Sequence, residues 1–503
     1  MKIFPETSNG YYFENKVDLL NLKSKAIRGS FVSLTAKTLA MIIQFVGVII
    51  LARLLSPEDF GIFAMATVFI NIFLVFQDVG LTDATIQADS LNHNVVSTLF
   101  WINSGIGLLI AVLLSALGPV AVLFFGKKAL LPILLVSSIE FIFYGLSVQH
   151  MALLKRRLLF TQVNIINITS YAIGTFVSII SGIFGMRYWA LVFRGLSAAL
   201  STFVLTWIYC KWRPGLPSKS AEVKKLVRFG VNSAVFYILS YFANNLDKTL
   251  IGKKFGSELL GYYSRAYFIA ATPSAYLSQS LFHVAVSTLS KVREDQEKFH
   301  RYFLNAISIL SFVGMPLSIF MVISNKELVY FLLGPKWKQA SGLFAILGLS
   351  AGLNIIYQTY SWLHVSLGRS DRWLRWGLFY SLTLSASFFI GMVFGIDGIA
   401  WAYTISIIIF AIPAIFYAGR PISISISSIM KAISRNTLTS VISGLALWQI
   451  KMNYLDSFML IPRLGISFTV FVLTYLLATV IFSRGIEPLR EYFLHIKSGL
   501  IDK

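Results

Sequence analysis

The chain has 503 residues, of which 56% are hydrophobic and 13% charged, with a formal net charge of +21 and a mean hydropathy of +0.73. Soluble globular chains carry about a quarter charged residues, so this one could not cover a water-facing surface of its size, and lipid must be its main solvent. The basic residues fall in short runs between apolar stretches, the pattern that orients membrane proteins, not in the patch or stripe of a nucleic-acid binder.

Residues 1–28 are polar and mixed in charge and lack the short apolar core and small-residue cleavage site of a signal peptide. The first apolar run is therefore expected to stay as an anchor. A spanning helix needs about 20 mostly apolar residues. The runs that meet this predict spans at 31–52, 61–78, 98–125, 129–149, 163–185, 188–210, 229–251, 266–289, 303–324, 340–364, 374–394, 396–418, 437–450 and 459–482. The third is long enough to tilt, and the thirteenth is short. Lys and Arg favour one set of inter-span segments over the other by better than two to one, which places both termini in the cytoplasm. Segment 211–228, KWRPGLPSKSAEVKKLVR, is the most polar break. It divides the chain into a cytoplasmic segment (1–28), an N-lobe of helices 1–6 (29–210), a cytoplasmic linker (211–228), a C-lobe of helices 7–12 (229–420), and helices 13 and 14 with a cytoplasmic tail (421–503). The predicted fold is an all-α polytopic membrane protein of about 14 transmembrane helices. The lone cysteine, Cys210, ends an apolar run and reads as an inert buried thiol; it excludes an intramolecular disulfide and a cysteine metal cluster.

The chain resembles itself. LARLLSPEDFGIFAMA at 51–66 aligns with IGKKFGSELLGYYSRA at 251–266, matching Arg53 with Lys253, Glu58 with Glu258, Gly61 with Gly261 and Ala66 with Ala266. FFGKK at 124–128 resembles LLGPK at 332–336, HMALLKR at 150–156 resembles HVSLGRS at 364–370, and Gly185 and Ala190 resemble Gly395 and Ala400. Four matches in one order argue for a duplication of six helices. An even number keeps topology, so the lobes form a parallel repeat, an arrangement that transporters use for alternating access. Within LSPEDFG, Ser56 suits an N-cap, Pro57 the first helical position, and Glu58 and Asp59 the positive end of the helix dipole.

ARLLSPEDFG, QDVGLTDATIQ at 77–87 and NNLDKTLIGKKFGSELLGYYSRA at 244–266 resemble the Wzx-type polysaccharide exporters and flippases, in the branch related to the colanic acid exporter, of the multidrug/oligosaccharidyl-lipid/polysaccharide superfamily. The resemblance spans roughly residues 25–420. It implies two six-helix lobes plus two further helices. It also implies movement of a lipid-linked oligosaccharide, an undecaprenyl diphosphate derivative, across the inner membrane, driven by proton-motive force. Membrane lipids and polysaccharide assembly proteins are the implied partners, with no cofactor, no nucleic acid and no catalytic site. Because each chain carries both lobes, a monomer is expected to function. The family's proline-containing VxFPxxS stretch after the eighth span is replaced by HVAVSTLS at 283–290, which removes the sequence basis for a helix bend there.

An ionisable group at a helix centre costs about 2.5–3.5 kcal/mol on insertion scales, so each one inside a span is a candidate for function. An anionic diphosphate needs cations along its path. Lys37 shares a helical face with Ser33, Ala40 and Gln44; it either lines the lumen or snorkels to the headgroups. Arg194 offers a planar guanidinium fork for phosphate, with the same alternative. Asn244, Asp247 and Lys248 fall on one face of the seventh span. Glu140, in ILLVSSIEFIFYGL, lies too deep to reach either interface and is the candidate proton carrier, or else a permanently neutral, hydrogen-bonded acid. Asp78 and Asp83 read as a solvated loop, and His150 and His364 as interfacial residues at matching repeat positions. No spacing of metal ligands, phosphate loop or nucleophile triad appears. A multidrug or organic-cation antiporter of the same fold would favour an acidic cavity, whereas these candidates lean basic. A membrane polysaccharide polymerase or ligase would need a large external loop, and the inter-span segments are short.

Overall fold

The computed structural model describes residues 19–77, 81–88, 91–218, 245–455, 457–483 and 485. Its regular structure is helical throughout these residues. The helices are α1 (Leu19–Leu54), α2 (Pro57–Gln77), α3 (Leu81–Gln87), α4 (His93–Ala116), α5 (Gly118–Phe125), α6 (Leu130–Arg156), α7 (Phe160–Ile183), α8 (Trp189–Cys210), α9 (245–255), α10 (Ser257–Lys291), α11 (Gln296–Ile323), α12 (Asn325–Leu333), α13 (Ala340–Leu349), α14 (Ala351–Tyr357), α15 (Thr359–Ser366), α16 (Ser370–Gly391), α17 (Gly395–Gly419), α18 (Ile426–Ile450) and α19 (Leu460–Phe482).

Ten segments among the described residues are long and apolar enough to cross a membrane, and one of them, Ser370–Ile422, holds two helices, α16 and α17. Their outer faces carry side chains such as Leu109, Leu123, Ile390 and Leu473, each more than half exposed, which only lipid can cover. The protein is a multi-pass membrane protein.

Three predicted spans differ in detail; the eighth lies within α10, which is not among these ten segments, and residues 229–244 of the seventh lie outside the described residues. The long third span is broken at Leu117 by the Gly118–Pro119 step, which starts α5 with a proline in its first turn. The tenth is three helices, α13 to α15, interrupted at Ser350 and Gln358. The thirteenth is longer than its apolar run: α18 begins at Ser425, whose hydroxyl accepts from Ser428 N, and runs 25 residues. Hydropathy missed its first half because Lys431 and Arg435 sit there. Segment 283–290 continues α10 without a break; the proline inside that helix is Pro273, further back.

The chain forms two compact units, residues 1–261 and 262–503. In the first, α4 crosses α6 where Gly107 meets the Phe141 carbonyl and Gly145 meets that of Asn103; a Cβ on either would lie 2.5 or 2.7 Å from those oxygens. In the second, α11 crosses α14 where Gly314 and Gly352 touch, and a Cβ on Gly352 would lie 2.2 Å from the Gly314 oxygen. Each second-unit glycine lies 207 positions after its counterpart. The turns repeat as well. Gly126 and Gly334 follow α5 and α12 with positive φ, and Gly185 and Gly395 do so between α7 and α8 and between α16 and α17. The duplication seen in the sequence is thus a duplication of helix crossings and left-handed turns.

The turns also set the register. Leu159 N donates to Leu154 O at 3.0 Å, and Arg369 N donates to His364 O at 2.8 Å. His364 therefore matches Leu154, and His150 matches Tyr360, one helical turn from the pairing expected. Both histidines are packed inside their units: His150 is 0% exposed and stacks on Trp207 at 4.6 Å, and His364 is buried against Tyr360 and Tyr417.

The predicted linker is described as far as residue 218. It leaves α8 at Lys211 in a left-handed turn and then lies along the first turns of α4. Gly215 N donates to Ser97 Oγ, Trp101 Nε1 to Gly215 O, and Ser218 N to Thr98 Oγ1. Cys210 is buried beneath it, as expected of an inert thiol.

Candidate functional site

Five of the seven candidate residues are ionisable, and all seven belong to the first unit. Glu140 lies midway along α6, where α6 packs on α8. Its carboxyl sits over Gly195: a Cβ there would lie 2.4 Å from Glu140 Oε1. Glycine at 195 is thus what makes room for the acid, and it places Glu140 beside the backbone of Arg194. Tyr144, one turn along α6, and Tyr171 on α7 complete the group. Tyr144 is within electrostatic range of both Glu140 and Tyr171, and Tyr171 within range of Arg194. Among the described residues neither Glu140 nor Arg194 forms a hydrogen bond or ion pair through its side chain. A carboxyl and a guanidinium within apolar helices, both half-buried and without such partners, are costly groups to hold there.

On α1, Lys37 is exposed and Gln44 is half-buried one to two turns further along. The same helix packs against α7 at Gly47, where a Cβ would meet Thr175 Cγ2. On α9, Lys248 Nζ donates to Asn245 Oδ1 at 3.0 Å, and Asp247 is buried. Asn244 lies outside the described residues, as does Asp78; Asp83 lies in α3, and its side chain is outside the description.

The SPEDFG motif is a helix start, as its residues require. Asp59 accepts from Ser56 N at 3.0 Å and from Ser56 Oγ at 2.6 Å, and Asp59 N donates back to Ser56 Oγ. It also gathers ions that sequence spacing did not expose. Glu58 pairs with Lys127 at 3.0 Å, and Asp59 with Arg187 at 3.1 Å. Here the matched glycines meet: Gly61 lies on the Ser257 carbonyl and Gly261 on that of Pro57. The second unit carries its own ion cluster, Glu327 bridging Lys451 at 2.7 Å and Arg463 at 3.0 Å, all little exposed. It also holds a group of tyrosines around α14 to α17. Hydropathy treats tyrosine as neutral, so only residue-by-residue attention to phenols could have found it.

No group of three or more His, Cys, Asp or Glu among the described residues could hold a metal ion.

The profile of a family described as polysaccharide biosynthesis protein matches residues 50–342. The chain belongs to this family. Two relatives match over most of their length. The lipopolysaccharide biosynthesis protein WzxC of Escherichia coli (strain K12) is 23% identical over 410 residues, covering 80% of this chain and 82% of that one. The teichuronic acid biosynthesis protein TuaB of Bacillus subtilis (strain 168) is 25% identical over 423 residues, covering 83% and 86%. Among solved structures, the lipid II flippase MurJ in an inward closed conformation superposes with a TM-score of 0.69 over 91% of this chain and 99% of its own, at 16% identity. For a polysaccharide biosynthesis protein of this family, the match establishes a membrane-transporter fold.

Proposed function

We propose that this chain is a flippase that carries a lipid-linked oligosaccharide, an undecaprenyl diphosphate derivative, across the cytoplasmic membrane by alternating access. Both termini lie in the cytoplasm, in keeping with the distribution of Lys and Arg. The observation that carries the reading is Arg194. A guanidinium at membrane depth without an ion pair among the described residues suits an anionic headgroup, and it sits in a chain of a polysaccharide biosynthesis family. The relatives are named for lipopolysaccharide and teichuronic acid biosynthesis, and MurJ is named a lipid II flippase. Lys37, Gln44, Asn244, Asp247 and Lys248 serve the same path. Glu140 carries the coupling proton: over Gly195 it has no ion pair among the described residues, so its charge can follow its surroundings. The chain works as a monomer, alongside polysaccharide assembly proteins, and needs no cofactor.

The test is transbilayer movement of the native lipid-linked repeat unit in proteoliposomes containing only this protein, with and without a pH gradient. Movement should require the protein and quicken with the gradient. Arg194→Ala should slow it about tenfold or more, the scale of a lost charge-assisted hydrogen bond. Proton-driven efflux of a small organic cation, with no movement of the lipid, would overturn the proposal.

A further inference from the structure

The interior of an apolar helical unit is ordinarily filled with aliphatic side chains, because a buried phenol must find a hydrogen-bond partner. The second unit departs from this. Around Trp376, Ile407, Ala411 and Ala414 it packs Tyr357, Tyr360, Tyr380, Tyr403 and Tyr417, with Asn354 on α14 and Gln358 at the break after it. Tyr357 lies 4.9 Å from Tyr360 and 5.2 Å from Tyr380 between ring centroids, and Tyr403 meets Tyr267 edge-on at 5.4 Å.

The polar atoms of this group are near one another but loosely paired. Asn354 Nδ2 reaches Tyr403 Oη at 3.5 Å, Gln358 Nε2 reaches Asn354 Oδ1 at 3.5 Å, and Trp373 and Trp376 reach Tyr360 and Tyr357 at 3.4 Å each. These lengths sit at the far end of the hydrogen-bond range, where about 2.9 Å is usual. Tyr380 is half-buried, and its hydroxyl makes no hydrogen bond among the described residues. The cluster therefore has unspent hydrogen-bonding capacity, held against a packed wall in which Phe410 meets Trp376 and Tyr380 edge-on.

Resting on the flippase reading, we infer that Asn354, Tyr357, Gln358, Tyr360, Tyr380 and Tyr403 form the subsite that takes the sugar rings of the cargo. A pyranose presents C–H bonds on its faces and hydroxyls around its edge. Tyrosine offers the electron-rich ring face that such C–H bonds stack on, and a hydroxyl that both donates and accepts. Asn354 and Gln358 add amides, which do the same. None of the six residues is charged, so the subsite does not hold the diphosphate. The guanidinium of Arg372 is engaged with the carbonyl and ring of Tyr417. A hydrocarbon tail would leave the Tyr380 hydroxyl without a hydrogen bond.

The test measures dissociation constants of the purified full chain in lipid nanodiscs for two probes. One is the lipid-linked repeat unit extracted from the cells that make this protein; the other is undecaprenyl diphosphate without sugar. Tyr380→Phe keeps the ring and removes the hydroxyl, so the fold should stay intact, as an unchanged unfolding temperature would verify. It should weaken binding of the glycosylated lipid about fivefold, the scale of one hydrogen bond, and leave the sugarless lipid unchanged. Tyr380→Ala should widen that gap. Equal weakening for both lipids, or none for either, overturns the subsite while leaving the flippase reading in place. Wild-type protein that binds neither lipid overturns both.

Discussion

The two units share a skeleton and differ in chemistry. Both cross helices at paired glycines, Gly107 with Gly145 and Gly314 with Gly352, and both turn through left-handed residues at matched places. Yet the position of Glu140 is held in the second unit by Leu347, and that of Arg194 by Thr404, whose hydroxyl donates to the Ile346 carbonyl at 2.9 Å. In return, Tyr380 and Tyr403 stand where the first unit has Ser170 and Phe193. Charge at membrane depth gathers in one unit and phenols in the other. A duplicated frame fixes where helices cross and leaves the side chains between crossings free to diverge. On the reading proposed above, Arg194 would meet the anionic headgroup and the tyrosine group the neutral sugar.

The widest difference expected between the units lies in their ion clusters. Glu327 is 5% exposed and neutralises both Lys451 and Arg463. Glu327→Ala would remove the buried carboxylate that pairs with both half-buried cations and should destabilise the protein by about 3–5 kcal/mol. In the first unit Glu58 is about half exposed beside Lys127, and Glu58→Ala should cost under about 1 kcal/mol. Thermal unfolding in detergent separates the two; equal shifts would break the comparison.

Next in size are the crossings, where the units should behave alike. Gly352→Ala and Gly145→Ala each force a Cβ into a facing carbonyl and should each cost about 1–3 kcal/mol, Gly352→Ala the more because its approach is closer. Gly377, with no atom within 4 Å of its would-be Cβ, is the control: Gly377→Ala should be neutral or slightly stabilising in the same unfolding experiment. The smallest structural effect should come from Glu140→Gln, which keeps the shape over Gly195. It should leave the unfolding temperature unchanged and abolish the response of transport to a pH gradient. A retained response would remove Glu140 from coupling.

Much of the fold was legible because lipid imposes long apolar runs and the duplication repeats its turns. The SPEDFG start could be read from residue type alone, since a helix dipole demands particular residues; Gly126 and Gly185 stood out as repeats, but their left-handed turns did not. The breaks at Leu117, Ser350 and Gln358 were not, because a helix interrupted inside a span keeps its hydropathy. The first half of α18 was hidden for the opposite reason: helical residues at the membrane surface are polar. For the site, single charges stood out against apolar sequence, so Glu140 and Arg194 were legible as candidates. That Gly195 makes room for Glu140 was not legible, because it depends on how α6 packs against α8. The tyrosines were missed because each is ordinary alone and only their convergence from α10, α14, α15, α16 and α17 sets them apart.

The division of labour between the units is tested most directly by crossing two substitutions with two ligands: the affinities of Arg194→Ala and Tyr380→Ala for undecaprenyl diphosphate with and without its oligosaccharide. Arg194→Ala should weaken both lipids by a similar factor, about tenfold, because both carry the diphosphate. Tyr380→Ala should weaken only the glycosylated one. If Arg194→Ala spares the sugarless lipid, or Tyr380→Ala weakens it, the two units do not divide the cargo in this way.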